Sequence, residues 1–347
     1  MLELKRFNEE DKEMRATLND VAKAANVSAS LVSMHLNGHP LAKRIAEETK
    51  RRIDEAVRRL DYHPSAAARA LSTGRSSLLG LVVGEISNAY FSHFAETALE
   101  EAAGSGYQLV IAVERNSGGN RPDVWASFLG QQLAGVIYCP LYREDSEFAV
   151  RLARRNTPLL LVNQRFGRCH SICDDSRDAM YRAVTMLRDR GHRVIRGVFG
   201  TSHTKAEAFL DACGHAAVSG ELCPFPTGNR EERRATVEEL CRLRYPALVV
   251  NGHLTNGRLL RKLRTDCPDY HPDLVMSVAY WDRSLQDGHF LGAVLSRAGE
   301  TARRAVRSLI ELVREPEASP RMEEIPADFV PAAEFARIPV SDPEDDF

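Results

Sequence analysis

Ser28, Ser30 and Ser33 fall within one short stretch, VSASLVSMHLN, and line it with small hydroxyls rather than long side chains. A helix lined this way approaches phosphates and base edges closely, and its hydroxyls can both donate and accept hydrogen bonds there. The chemistry this predicts is recognition of a duplex, not bond-making. Lys50, Arg51, Arg52, Arg58 and Arg59 follow on the next helical stretch and supply positive charge for a phosphate backbone. Further on, YHPSAAARAL carries Leu71 on a segment too short and alanine-rich to be helical alone. Such a segment folds only against a partner, and an exposed leucine on it suits a wedge between base steps in a minor groove. The competing readings are an ordinary small helical bundle and, for residues 62–77, a linker with an incidental leucine.

Other chemistries are poorly supplied. The chain has no Walker loop, no G-x-S-x-G elbow and no H-E-x-x-H pair, and its 11 histidines are scattered. An enzyme is not expected, and no catalytic residue or cofactor is assigned. Cys139, Cys169, Cys173, Cys213, Cys223, Cys241 and Cys267 are odd in number and irregular in spacing. That pattern suits reduced thiols in a cytoplasmic protein better than a disulfide framework. Cys169 and Cys173 bracket His170, but a metal site needs about four ligands and no second pair is present.

The elements that would hold the serines can be read from periodicity. Thr17 is placed to cap a first helix whose Val21, Ala22 and Ala25 share one face. After a turn at Asn26-Val27, Ser28 caps a second helix bearing Leu31, Val32 and His35 or Leu36 at helical spacing, and Asn37-Gly38 ends it. A third helix is predicted over about 46–60, with Ile53, Ala56, Val57 and Leu60 inward. Two short helices with a tight turn and a supporting third make a helix-turn-helix unit. From Leu78 onward, apolar runs at 78–84, 107–113, 134–139, 158–163, 194–199, 247–251 and 274–280 alternate with amphipathic stretches at 92–104, 146–155, 176–190, 204–217, 230–243 and 255–265. This predicts an α/β body of parallel, doubly wound sheets in two lobes. Ligands bind such sheets at the carboxyl ends of the strands, so the cleft between lobes is the expected small-molecule site.

The division expected is a polar arm over 1–16, the headpiece over 17–61, a hinge helix and linker over 62–77, the body over 78–340 and an acidic tail over 341–347. Charge follows it. Residues 15–77 hold 11 Lys and Arg against 6 Asp and Glu, a net +5, although the whole chain carries −2. A basic head attracts phosphate while an acidic body keeps the contact local. At 44% hydrophobic and 27% charged residues, the composition is that of a globular protein. No apolar run reaches about 18 residues, and the N-terminal arm lacks a signal-peptide core, so no membrane partner is expected.

The stretches TLNDVAKAANVSASLVSMHLNG and YHPSAAARALSTGRSSLLGLV closely resemble the LacI/GalR, or lactose-repressor, family pattern, and EISNAYF, GYQLVIA and RGH extend the resemblance over about residues 17–335, more weakly after about 200. The resemblance implies a headpiece, a hinge helix and a periplasmic-binding-protein-like body, acting as a homodimer on a pseudopalindromic double-stranded DNA operator, with repression the expected mode. It implies that Ala29, Ser30 and Met34 choose bases and that Ser28, Ser33, Asn37 and Thr49 touch phosphates. Leu18 and Asn19, at the start of the first helix, join the DNA-binding set. Tyr62 reaches backbone near the hinge, Ala68 packs hinge helices together and Leu71 is the wedge.

Several features depart from that pattern. The loop GHPLAKRI is about three residues longer than usual, Met34 stands where Arg is common, and Ser65 replaces an Asn. Tyr90, Phe91, Asn163, Asn251 and Asp282 follow strands and are the expected effector contacts, by stacking or by hydrogen bonds to hydroxyls. A usual Arg is replaced by Ala208, with Lys205 nearby as a point charge rather than a fork. The ligand is therefore expected to be sugar-like or atypical. The alternative is an effector-independent or architectural DNA-binding protein with a degenerate pocket. The acidic C-terminus lacks a leucine heptad, so a coiled-coil tetramer is not expected.

Overall fold

The computed structural model describes residues 16–37, 40–63, 76–84, 86, 88–113, 128, 130–140, 152, 155, 157–165, 169–200, 203–225, 229–278 and 290–337. The chain divides into two compact units, 1–77 and 78–347. The expected hinge positions Ala68 and Leu71, residues 1–15 of the arm and the acidic tail lie outside the described residues, as does nearly all of the helix expected at 146–155.

The first unit contains α1 (Leu18–Ala25), α2 (Ala29–Leu36) and α3 (Glu47–Arg59). Thr17 caps α1 in a reciprocal box: its hydroxyl accepts from the Asp20 amide at 3.3 Å, and its own amide donates to the Asp20 carboxylate at 2.9 Å. Asn26 ends α1 in the left-handed region at φ 51°. That geometry turns the chain at once into α2. Val21, Val32 and Ile53 are fully buried and put one apolar contact from each helix into a single small core. Burying each is worth ~1.5–3 kcal/mol relative to leaving it in water. The long loop before α3 is not open coil, because Pro40–Arg44 forms a 3₁₀ turn that buries Ala42.

The second unit holds β1 (Leu78–Val83), α4 (Ala89–Gly104), β2 (Gln108–Val113), β3 (Gly135–Cys139), β4 (Leu159–Val162), β5 (His170–Asp175), α5 (Arg177–Asp189), β6 (Val194–Phe199), α6 (His203–His215), β7 (Ser219–Pro224), α7 (Arg230–Leu243), β8 (Ala247–Asn251), α8 (His253–Asp266), β9 (Asp273–Val278), β10 (Phe290–Leu295), α9 (Ala298–Arg314), β11 (Met322–Pro326) and β12 (Asp328–Pro331). Two six-stranded sheets run β11-β5-β4-β3-β1-β2 and β12-β10-β9-β8-β6-β7. The first is parallel throughout, and only β12 runs antiparallel in the second. Apolar side chains cover both faces of each sheet, which is why the strands read as continuous apolar runs. Gly135 lets α9 lie close on β3, since a Cβ there would meet Leu309 at 2.8 Å.

The chain passes between the sheets at Ser176, at Ser296-Arg297 and at Ala327. The Ala327 amide donates to Asp175 O at 2.7 Å, and Arg297 pairs with Asp328 at 2.7 Å, so the crossings are tied to one another. Strands β5, β7, β10, β11 and β12 and helix α9 were not among the runs named from the sequence. β5 (HSICDD) and β11 (MEEIP) are too polar to stand out, and β11 and β12 lie at sheet edges.

The expectation of seven reduced thiols is corrected. Cys241 and Cys267 form a disulfide with Cα atoms 5.8 Å apart. The pair is brought together because α7 and α8 pack side by side over the second sheet, a proximity that spacing along the chain does not reveal. His170 serves structure, its ring nitrogens lying 3.3 Å from Ala318 O and 3.3 Å from the Arg321 amide.

Candidate nucleic-acid interface and ligand cleft

α2 and its caps carry most of the headpiece residues singled out for DNA, with Leu18 and Asn19 on α1, Thr49 on α3 and Tyr62 just after it. Ser28 is exposed at the N-cap of α2, and its Oγ accepts from the Leu31 amide at 3.2 Å. The Ser33 Oγ accepts from the Asn37 side-chain amide at 3.1 Å. Both hydroxyls are engaged as acceptors, which leaves their hydrogens to donate outward to an anionic oxygen. Ser30, Asn19 and Asn37 are exposed, while Met34, Thr49, Leu18, Ala29 and Tyr62 are half-buried. Leu18, Ala29 and Tyr62 also pack against the headpiece core. Val32 pins α2 from below.

Two features of this face were missed in the sequence. His35 reaches across to Asp54 on α3 at 2.8 Å and clamps α2 to its support. The sequence pattern had offered His35 only as a position at helical spacing. The basic residues of α3 are also partly neutralised at home: Lys50 pairs with Glu47 at 2.6 Å and Arg51 with Glu48 at 2.8 Å. Their charges are less available to phosphate than a count suggests.

In the second unit, a polar cluster forms where strands of the first sheet end. Asn163 follows β4 with φ 55°, a left-handed conformation that asparagine tolerates better than most residues. Its side-chain nitrogen donates to the Tyr90 hydroxyl at 2.7 Å, and its oxygen accepts from the Asp174 amide at 2.7 Å. Asp174 also accepts from the Thr301 hydroxyl at 3.0 Å. Two long-range elements thus converge on one carboxylate that keeps spare lone pairs. Burial, reinforced by the nearby Asp174 charge, pushes the Tyr90 phenol well above its ordinary range, so it remains a hydrogen-bond donor. Lys205, half-buried on α6, has its ammonium lowered by burial while the Asp174 charge opposes that shift.

The cluster therefore unites Tyr90, Asn163 and Lys205 and adds Asp174 and Thr301, which the sequence did not single out. Asp174 could have been found from an Asp-Asp-Ser run leading into α5, had β5 been recognised as a strand. Phe91 is a correction: it is 5% exposed inside the first-lobe core, where its ring meets Tyr90 edge-on at 5.4 Å. Its helical phase turns it inward and leaves Tyr90 beside the polar groups. Asn251 is half-buried at the end of β8 and takes no described bond to the cluster, and Asp282 lies outside the described residues. A separate cavity of about 560 Å³, lined by Arg182, Thr185, Met186, Arg190, Leu291 and Phe329, holds none of these groups.

Comparison with known proteins bears on the headpiece and on the fold. Residues 17–65 match the family described as bacterial regulatory proteins, lacI family. The HTH-type transcriptional regulator PtxS of Pseudomonas aeruginosa is 34% identical over 234 residues, covering 64% of this chain and 66% of that protein. The sucrose operon repressor of Klebsiella pneumoniae is 36% identical over 140 residues, 40% of this chain and 41% of that one. The matched segments thus span less than two thirds of these relatives' lengths. A crystal structure of the lac repressor dimer bound to operator and an anti-inducer superposes with a TM-score of 0.75 at 18% identity, covering 91% of this chain and 98% of that one. Residues 17–65 thus carry a headpiece that matches the lacI family of bacterial regulatory proteins, and the chain has the fold of the lac repressor structure.

Proposed function

We propose that this protein is a sequence-specific DNA-binding transcription regulator, a repressor acting as a homodimer on a pseudopalindromic operator. The observation that carries this reading is the headpiece: a capped helix-turn-helix of the lacI family whose second helix carries outward-facing hydroxyls. Ser28, Ser33, Asn37 and Thr49 hold phosphates and set the register. Ala29, Ser30 and Met34 face base edges in the major groove, with Leu18 and Asn19 alongside and Tyr62 near the backbone. Ala68 and Leu71 belong to a hinge that reads deformable central steps. The protein works in the cytoplasm and performs no catalysis. Among the described residues, no helix is long and apolar enough to cross a membrane.

The polar cluster around Asp174 takes a small polar effector, with Tyr90, Asn163, Lys205 and Thr301 bonding its hydroxyls and Asn251 and Asp282 as the expected contacts from the second lobe. Two of the similar proteins support this: one is a sucrose operon repressor, and the lac repressor structure holds an anti-inducer. Selection of bound duplexes from a random library by the full chain tests the DNA half, and recovery of one two-fold symmetric sequence is the expected result. Recovery of no shared sequence would contradict it.

One observation favours a second reading. Ala208, at the position of the usual Arg, is buried and offers no fork for a ligand. A pocket that has lost its effector would show no thermal shift with sugars, nucleobases or sugar phosphates and no change in operator affinity. A shift with any of them supports the regulated form.

A further inference from the structure

The Cys241–Cys267 bond belongs to neither the headpiece face nor the polar cluster. Cys241 lies in the last turn of α7, and Cys267 is the C-cap of α8. Their 5.8 Å Cα separation is one that a disulfide spans without backbone movement. The segment they enclose contains β8, Asn251 and α8. Cys267 is buried, whereas Cys241 is only half-buried and is the sulfur a small thiol would reach first.

The remaining thiols are a contrast. Cys139, Cys173, Cys213 and Cys223 are buried, and burial pushes Cys213 up to about 12 and Cys223 up to about 11. Cys169 is raised by burial too. Because the thiolate is the reactive form, these five are poor partners for exchange. Cys223 shares the core that holds the pair yet remains free.

We infer that Cys241 and Cys267 form a reversible thiol–disulfide switch that stiffens the second lobe around β8 and α8 when oxidised. Glutathione disulfide serves as the oxidant. The Cys241 thiol loses its proton, and the thiolate attacks one glutathione sulfur and expels the other half as a thiolate. The Cys267 thiolate then attacks the Cys241 sulfur and expels the second glutathione. Two protein thiols are oxidised, one glutathione disulfide is reduced to two thiols, and the two protons pass to the leaving sulfurs. Reduction runs in reverse, with glutathione entering at Cys241 and Cys267 leaving. The closed ring restricts the unfolded segment, so the oxidised lobe melts at higher temperature.

The test equilibrates the full chain in glutathione buffers from reducing to oxidising, quenches exchange with acid, then unfolds the chain and counts thiols by alkylation and mass. The switch predicts 7 alkylated cysteines falling to 5, with the lost pair mapping to Cys241 and Cys267. The oxidised wild type should melt several degrees above the reduced one. Cys267→Ser should collect glutathione on Cys241, and Cys241→Ser should collect little on Cys267. The wild-type comparison stands on its own if a variant folds poorly. Seven free thiols at every ratio, prior oxidation of other cysteines, or a bond that yields only on unfolding would each overturn the inference.

Discussion

The helix that faces outward from the headpiece is held by close neighbours in the chain, whereas the polar cluster of the body is gathered from far apart. α2 is capped by Ser28, pinned by Val32 and clamped through His35 to Asp54, 19 residues away. The Asn163–Tyr90 and Thr301–Asp174 bonds join residues 73 and 127 positions apart. The difference bears on what each region can do. A reading surface must present fixed geometry, and short-range contacts supply that cheaply. The cluster draws its groups from both lobes, near three linked crossings, so the proposed effector, bound there, would bias the arrangement of the whole body.

The sharpest way to break this comparison is to remove the headpiece core. Ile53→Ala deletes a fully buried side chain from the small α1–α3 core and should cost ~2–5 kcal/mol. Operator binding should vanish while the thermal transition of the body persists. Loss of both transitions together would show that the units are not separately stable. Next in size is Asp174→Ala, which removes the acceptor shared by Asn163 and Thr301. Hydrogen bonds to a charged group are worth ~1.5–3 kcal/mol, so effector affinity should fall roughly 10- to 100-fold with affinity for effector-free operator unchanged. Calorimetry and a gel-shift titration read the two separately.

Met34→Arg sharpens the reading side. A bidentate arginine discriminates guanine by ~1–3 kcal/mol, so the selected operator should shift toward guanine at the matching position. Identical selection by both proteins would remove Met34 from the base-contacting set. The smallest effect concerns Asp175, whose carboxyl is held below its usual range chiefly by the Arg177 hydrogen bond. A carboxylate with a depressed folded pKa contributes stability above its unfolded pKa, about 3.9, and loses it as pH falls through the lower folded value. Arg177→Ala should therefore lower the melting temperature at neutral pH, by under ~1 kcal/mol for so exposed a pair, and the difference from wild type should shrink below about pH 4. A difference that grows with acid would contradict this sign.

The same contrast in chain distance governs what could be read before the structure. The headpiece was legible because caps and helical faces are local: Thr17, Ser28, Val21, Val32 and Ile53 all stand where the pattern put them. The apolar strands β1, β3, β4, β6 and β8 were legible for the same reason. Polar β5 was not, and with it Asp174 stayed hidden, since its role depends on a strand that looks like a loop. Phe91 was misassigned because one residue of helical phase separates a ring beside the cleft from a ring in the core. The Cys241–Cys267 pairing depends on how two helices lie side by side, which no spacing encodes.

The role proposed for α2 is to choose sequence rather than merely to hold phosphate. It is tested most directly by titrating the full chain, at one physiological salt concentration, with its selected operator and with a scrambled duplex of the same length and composition. Binding to the operator should be tighter by roughly a thousandfold or more. Equal affinity for the two duplexes, with the same salt dependence, would contradict it.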